Sequence, residues 1–180
     1  MLETITNIDF YVLDFIQKHF RCSFLDHVMP VLTGLGNGGM IWIAIAAVML
    51  LKEKYRKQGA VLLVGLAVGF VLGNLLLKPI VARPRPNWVN MQIELLIDNP
   101  LDFSFPSGHT LSSFVAAFLI SMDNHKFGYA AIPFAALMAF SRLYLYVHYP
   151  SDVLAAILLA LVVALFVHRL FYRRKSKTTN

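Results

Sequence analysis

Cysteine and charge are scarce in this chain. One cysteine (Cys22) among 180 residues leaves no internal disulfide, which excludes the small disulfide scaffold. Only 14% of residues are charged, where soluble domains carry about a quarter, and 58% are hydrophobic with a mean hydropathy of +0.63. Such a chain is neither disordered nor collagenous. It also has no internal repeat, no low-complexity tract and no nucleic-acid-binding motif. At about 100–200 residues per domain, the length allows a single domain over 1–180. What these exclusions leave is an all-α, polytopic membrane bundle. Sixteen Lys+Arg against ten Asp+Glu give +6 and a pI near 9.6. In a membrane protein this excess orients the chain against anionic lipid rather than binding nucleic acid. Met1 to Phe20 carries Glu3, Asp9 and Asp14 where a cationic start would belong, so no cleavable signal peptide is expected.

Four long apolar runs stand out: Gly59–Leu77, Ser107–Met122, Phe127–Val147 and Val153–Tyr172. All are near the roughly 20 helical residues that a bilayer core requires. A shorter run, Gly39–Leu51, follows Phe24–Leu35, and Pro30 with Gly34, Gly36, Gly38 and Gly39 breaks the pair into two helices. Residues 4–20 read as an amphipathic interfacial helix with Ile8, Tyr11, Val12, Phe15 and Ile16 on one stripe. The expectation is five or six spans plus this N-terminal helix. Gly65, Gly69 and Gly73 recur every four residues and predict close helix packing. Trp42, Trp88, Phe103 and Phe105 fit interfacial anchors, the two phenylalanines also fitting a lipid entrance. Met91–Leu101 reads as a short amphipathic helix over the site.

Short loops set the orientation. Basic residues crowd Lys52–Lys57, the turn at Lys126 and the C-terminus (Arg169, Arg173, Arg174, Lys175, Lys177). Counting crossings puts all three on one side, which the positive-inside rule makes cytoplasmic. The Lys78–Pro106 loop and the His148–Asp152 turn then face outward.

Three polar clusters fall at these outward helix ends: Lys78 through Arg83-Pro84-Arg85-Pro86, then Phe105-Pro106-Ser107-Gly108-His109, then Ser141-Arg142 followed by His148 and Asp152. A proline-initiated helix start exposes unpaired N–H groups that attract an anion, and Gly108 lets it approach the backbone. A charge inside a span costs about 2.5–3.5 kcal/mol on insertion scales, so Arg142 requires a partner or a purpose. Lys78 alone would snorkel, and Arg83 or Arg85 alone would anchor at the interface. Three cations meeting at a helix start instead form a phosphate cradle. Asp152 at i+4 from His148 would fix the imidazole tautomer and turn the other nitrogen towards the anion. His19, His27, His125 and His168 stand without such company.

In order and spacing, Lys78–Arg85-Pro86, Pro106-Ser107-Gly108-His109 and Ser141-Arg142–His148–Asp152 resemble the three-part signature of the phosphatidic-acid phosphatase type 2 family, which also includes the vanadium haloperoxidases. The signature spans 78–152 without a departure. The resemblance implies that His148 attacks phosphorus to form a phosphohistidine, oriented by Asp152. It implies that His109 protonates the leaving group and later activates water. Lys78, Arg85, Ser107, the Gly108 amide and Arg142 would hold the phosphoryl oxygens. It also implies a reaction without metal or cofactor.

The expected activity is that of an integral lipid phosphatase of the cytoplasmic membrane with an extracytoplasmic site. Its partners would be a lipid phosphate and the surrounding membrane lipids, with no nucleic acid and no oligomeric state indicated. Undecaprenyl pyrophosphate, phosphatidylglycerol phosphate and phosphatidic acid all fit, the outward site favouring the first. The rivals are a haloperoxidase holding vanadate in the same cradle and a non-enzymatic transport or assembly protein.

Overall fold

The structure, a computed structural model, describes residues 2–172. The basic residues Arg173, Arg174, Lys175 and Lys177 lie outside this range. Among the described residues the elements are α1 (Leu2–Phe20), α2 (Ser23–Leu35), a 3₁₀ turn (Asn37–Gly39), α3 (Met40–Leu51), a second 3₁₀ turn (Glu53–Tyr55), α4 (Arg56–Phe70), a π turn (Val71–Leu77), α5 (Lys78–Val81), α6 (Pro86–Val89), α7 (Gly108–Asp123), α8 (His125–Tyr144) and α9 (Pro150–Tyr172). All of these are helical, as the composition requires.

Helix α7 is the hub, packed against α8, α9 and α4. Its buried residues include Leu111, Val115, Ala116, Ala117 and Leu119. The glycine row that runs from α4 into the π turn explains the close fit. A Cβ at Gly65 would sit 2.4 Å from Leu119 Cδ1, and one at Gly73 would sit 2.4 Å from Leu111 Cδ2. Helix α9 meets the hub with Ala156, Ala160 and Ala164, all fully buried. Its other side exposes Leu154, Leu158, Val162, Phe166 and Leu170, a continuous apolar face suited to lipid rather than water.

By length and apolarity, Glu53–Val89 (37 residues) and Pro150–Tyr172 (23 residues) are able to cross a membrane. Helices α2 and α3, bent by 46° at their junction, form a third when taken as one span. Gly38 and Gly39 adopt positive φ (58° and 73°) at that bend. Helix α7, at 16 residues, is shorter than such a span, and α8 carries Lys126, Pro133, Ser141 and Arg142 among its apolar residues. Hydropathy reports what a helix shows to lipid, and α7, enclosed by protein, carries buried Thr110 and Ser113 instead.

Three local expectations change. Trp42 is 2% exposed and its Nε1 donates to Ser113 Oγ (3.0 Å), so it is a core residue of α3 rather than an interfacial anchor. Met91–Leu101 is not helical; it runs irregularly, with Leu95, Leu96 and Ile97 tucked against the cluster of Ile16, Met29 and Tyr144. Three adjacent apolar side chains brace an irregular strap, where a helix would have presented them on different faces. On α1 the buried line is Asp9, Leu13 and Ile16, while Ile8, Tyr11 and Phe15 are exposed. Its inward face is therefore partly polar, for a reason found at the site.

The two ends of the bundle differ. At one, Tyr172 OH donates to Asp123 Oδ2 (3.2 Å), Lys57 Nζ lies 3.9 Å from the Tyr172 ring centroid, and Tyr55 meets Phe127 edge-on. These contacts gather the basic α3–α4 and α7–α8 turns with the end of α9. The opposite end holds the polar clusters.

Candidate active site

Two left-handed residues turn the chain at that end. Ala82 (φ 45°) closes α5 and sends Arg83 and Arg85 back over the bundle. Tyr146 (φ 58°) lies between α8 and α9, two residues before His148. A bulky residue in this region is strained, a cost that concentrates at functional sites. Tyr146 is locked by full burial and by its hydroxyl, which donates to Asp14 Oδ1 at 2.8 Å.

A cavity of about 1150 Å³ opens between these turns. Its polar wall brings together Lys78, Arg85, Gly108, His109, Arg142 and His148. Ser107 and Asp152, both fully buried, lie behind that wall. The cavity continues between α3, α4 and α7 along Ile43, Leu63, Leu66, Ala67 and Phe70. It is a single space with a cationic end and an apolar end.

His148 is 1% exposed and Arg85 Nη1 lies 3.2 Å from its Nε2. Arginine only donates, so Nε2 accepts and the ring proton sits on Nδ1. Nδ1 faces Ser104 Oγ at 3.4 Å and Asp152 Oδ2 at 3.7 Å. Burial, then the charges of Arg85, Arg142, Lys78 and His109, hold the imidazole neutral well below the ordinary histidine range. A neutral ring with its Nε2 lone pair towards the cations is the form a nucleophile needs.

Asp152 accepts from Arg83 Nη1 (2.6 Å), Ser104 Oγ (2.5 Å) and the Tyr149 amide (3.0 Å). The last bond closes the start of α9 as a capping box does. Arg83 therefore serves the carboxylate and not the cavity wall. Its Nη2 donates to Asp9 Oδ2 (2.8 Å), and its guanidinium lies 3.8 Å from the Tyr149 ring centroid. Asp9, 2% exposed, also accepts from the Ser151 amide (2.9 Å) and hydroxyl (2.6 Å). This is why α1 turns an acid inward: the helix is fastened to the turn that carries His148.

His109, in the first turn of α7, has Nε2 3.0 Å from Asn37 Oδ1. Gly36 makes room for it, since a Cβ there would sit 2.8 Å from His109 Cδ2. Gly108 faces Asn74, whose Oδ1 would lie 3.0 Å from an added Cβ. Arg142, 3% exposed, gives Nη1 to Thr33 Oγ1, while its buried Nε has no hydrogen-bond partner. Sequence reasoning missed Asp102. Its carboxylate bridges Lys78 Nζ and Arg85 Nη2, the latter at 2.6 Å. Burial opposes ionisation of Asp102, but Lys78 and Arg85 outweigh it and hold the group down at about 2. Ser104, Asp9, Asn37 and Thr33 were missed as well. Only Asp9 left a trace in the sequence, as an acid in a mostly apolar helix. Among the described residues no three His, Cys, Asp or Glu side chains group as metal ligands do.

Residues 58–176 match the model of the PAP2 superfamily. An undecaprenyl-diphosphatase of Sulfolobus acidocaldarius is 36% identical over 156 residues, covering 85% of this chain and 74% of that protein. Undecaprenyl-diphosphatase BcrC of Bacillus subtilis is 33% identical over 153 residues, covering 84% and 75%. The crystal structure of a transmembrane PAP2-type phosphatidylglycerolphosphate phosphatase from Bacillus subtilis superposes with a TM-score of 0.78 at 26% identity, covering 97% of this chain and 90% of that one.

Proposed function

Since the chain belongs to the PAP2 superfamily and is a phosphoric ester hydrolase of the membrane lipid phosphatase kind, we propose that its substrate is a polyprenyl diphosphate of the undecaprenyl class, cleaved to the monophosphate at the extracytoplasmic face. The observation that carries this reading is the single cavity with a cationic end and an apolar end, a shape matched to a phosphorylated amphiphile. Two similar proteins bear the name undecaprenyl-diphosphatase, which favours a diphosphate over a phosphate monoester.

In this mechanism His148 Nε2 attacks the terminal phosphorus in line. The P–O bond to the bridging oxygen breaks, and His109 supplies a proton to the departing lipid monophosphate. His109 then takes a proton from water, whose oxygen attacks the phosphohistidine. The N–P bond breaks, inorganic phosphate leaves and His148 returns to its starting form. One water is consumed overall. Lys78, Arg85, Arg142 and the Gly108 amide stabilise the equatorial oxygens, the largest contribution in a reaction that requires mainly positioning and charge. Ser107, behind the wall, orients the start of α7, and Asp152 steadies His148 with Ser104 between them. Three of these four donors are cationic, which suits phosphate held without a metal.

The topology in this reading has five crossings: α2 with α3, α4 with its continuation, α7, α8 and α9. Helix α1 rests in the outer interface with Ile8, Tyr11 and Phe15 towards lipid. Basic residues gather at the end of the bundle away from the cavity, which supports an outward site.

The test is phosphate release by purified protein in detergent from undecaprenyl pyrophosphate, phosphatidylglycerol phosphate and phosphatidic acid, beside the His148→Ala variant. Preferred cleavage of the first, lost in the variant, is expected. Cleavage of phosphatidylglycerol phosphate with none of the diphosphate would overturn the substrate, and full turnover by His148→Ala would overturn the nucleophile.

A further inference from the structure

Arg85 has five N–H donors, and all five are taken by the protein. Nε donates to Asp102 O (2.7 Å), Nη1 to Val147 O (2.6 Å) and towards His148 Nε2 (3.2 Å), and Nη2 to Asp102 Oδ1 (2.6 Å) and Phe103 O (3.5 Å). Lys78 is committed to the other carboxylate oxygen of the same aspartate. The two cations at the mouth of the polar wall are thus bridged by one carboxylate, using two oxygens in the way two phosphoryl oxygens would.

The surroundings of Asp102 set it apart from its partners. Lys78 and Arg85 have side chains 8% and 2% exposed, whereas that of Asp102 is 56% exposed and sits in an irregular segment. Among the acceptors on Arg85, three are backbone carbonyls built into the chain path and one is the His148 nitrogen. The Asp102 carboxylate is the acceptor that a change of side-chain rotamer removes. Lys78 Nζ keeps two further N–H donors, and His148 releases one Nη1 proton of Arg85 when its Nε2 attacks, so a phosphoryl group competes with this carboxylate for the Nη2 and Nζ donors it occupies.

We propose that Asp102 is an internal competitor of the phosphoryl group and sets the affinity of the site for phosphate. Its carboxylate neutralises one of the three cations that line the cavity. It returns to Lys78 and Arg85 as inorganic phosphate departs, so it weakens product retention at the expense of substrate affinity. This makes Asp102 an affinity-setting residue outside the signature positions. The inference rests on the reading of the cavity as a phosphoryl site, and the alternative is distinguishable by sign. If Asp102 merely fixes the two cations in place, removing its charge loosens them and weakens phosphate binding. If it competes, removal tightens binding.

The experiment measures binding of inorganic phosphate to purified protein by calorimetry, together with phosphate inhibition of lipid hydrolysis, for wild type, Asp102→Asn and Asp102→Glu. Asp102→Ala substitutes if the amide variant does not accumulate. The expected result is an affinity for phosphate about tenfold higher in Asp102→Asn, with a lower KM and a smaller kcat as release slows. Asp102→Glu, which keeps the charge, stays near wild type. Unchanged or weaker phosphate binding in Asp102→Asn overturns the proposal, as does absence of phosphate binding in every form. Tighter phosphate binding by protein that cleaves no lipid phosphate would sustain this inference and refute the function proposed above.

Discussion

Arg142→Met separates activity from stability with opposite signs. Arg142 is 3% exposed, makes no ion pair with a carboxylate among the described residues, and leaves its Nε without a partner. An unsatisfied buried donor costs about 1–3 kcal/mol, and a buried charge without an ionic partner about 3–5 kcal/mol. Methionine keeps the straight side chain and most of the packing while removing both costs. What is lost is the bond from the charged Nη1 to Thr33 Oγ1, worth about 1.5–3 kcal/mol. The balance is a gain of at least about 1 kcal/mol, or at least about 2 °C in the midpoint of thermal unfolding. The activity moves the other way. One charge-assisted contact to a phosphoryl oxygen is worth about 1.5–3 kcal/mol, so kcat/KM falls about 10- to 150-fold. Detergent-solubilised wild type and variant, measured for unfolding and for phosphate release on the same preparation, give both numbers. A variant less stable than wild type, or equally active, would show that Arg142 is a structural residue and refute the assignment.

Further outcomes follow from the same geometry. His148→Ala should lower turnover by at least about a thousandfold and His109→Ala by about 10²–10⁴, with folding intact by circular dichroism; a small effect at His148 would remove the nucleophile. Because His148 is held neutral by burial and by Arg85, it loses its lone pair only when pH falls well below the ordinary histidine value. The acid limb of kcat/KM attributed to it therefore lies well below pH 6.5, and a limb at or above that value contradicts the burial argument. Gly65→Ala should destabilise by up to about 2 kcal/mol, overpacking against Leu119 exceeding the helix-propensity gain, while Gly69→Ala, with its nearest neighbour at 3.5 Å, should be neutral or stabilising by up to about 1 kcal/mol. Activity should survive EDTA; loss restored by magnesium would contradict the metal-free cradle.

The cation and histidine positions were legible because chemistry that is costly in lipid stands out in a chain with so few charges. Lys78, Arg85, Arg142, His109 and His148 were found by asking which polar groups had no reason to be there, and by spacing that resembles a known signature. The glycine row was legible for a related reason: a four-residue repeat has one geometric meaning on a helix, and Leu111, Val115 and Leu119 fill it. Trp42 misled because an aromatic near a span end and an aromatic in the core have the same local pattern.

Sequence alone determined the helical, membrane-embedded class and the residues at the cavity wall, because hydropathy, helix period and signature spacing are local properties. The tertiary structure decided the pairings: Asp9 with Arg83 across α1, Ser104 between His148 and Asp152, and Asp102 across Lys78 and Arg85. Those contacts join residues 17 to 74 positions apart. No periodicity reaches that far, so only packing of the helices around α7 could choose among the available acids and hydroxyls.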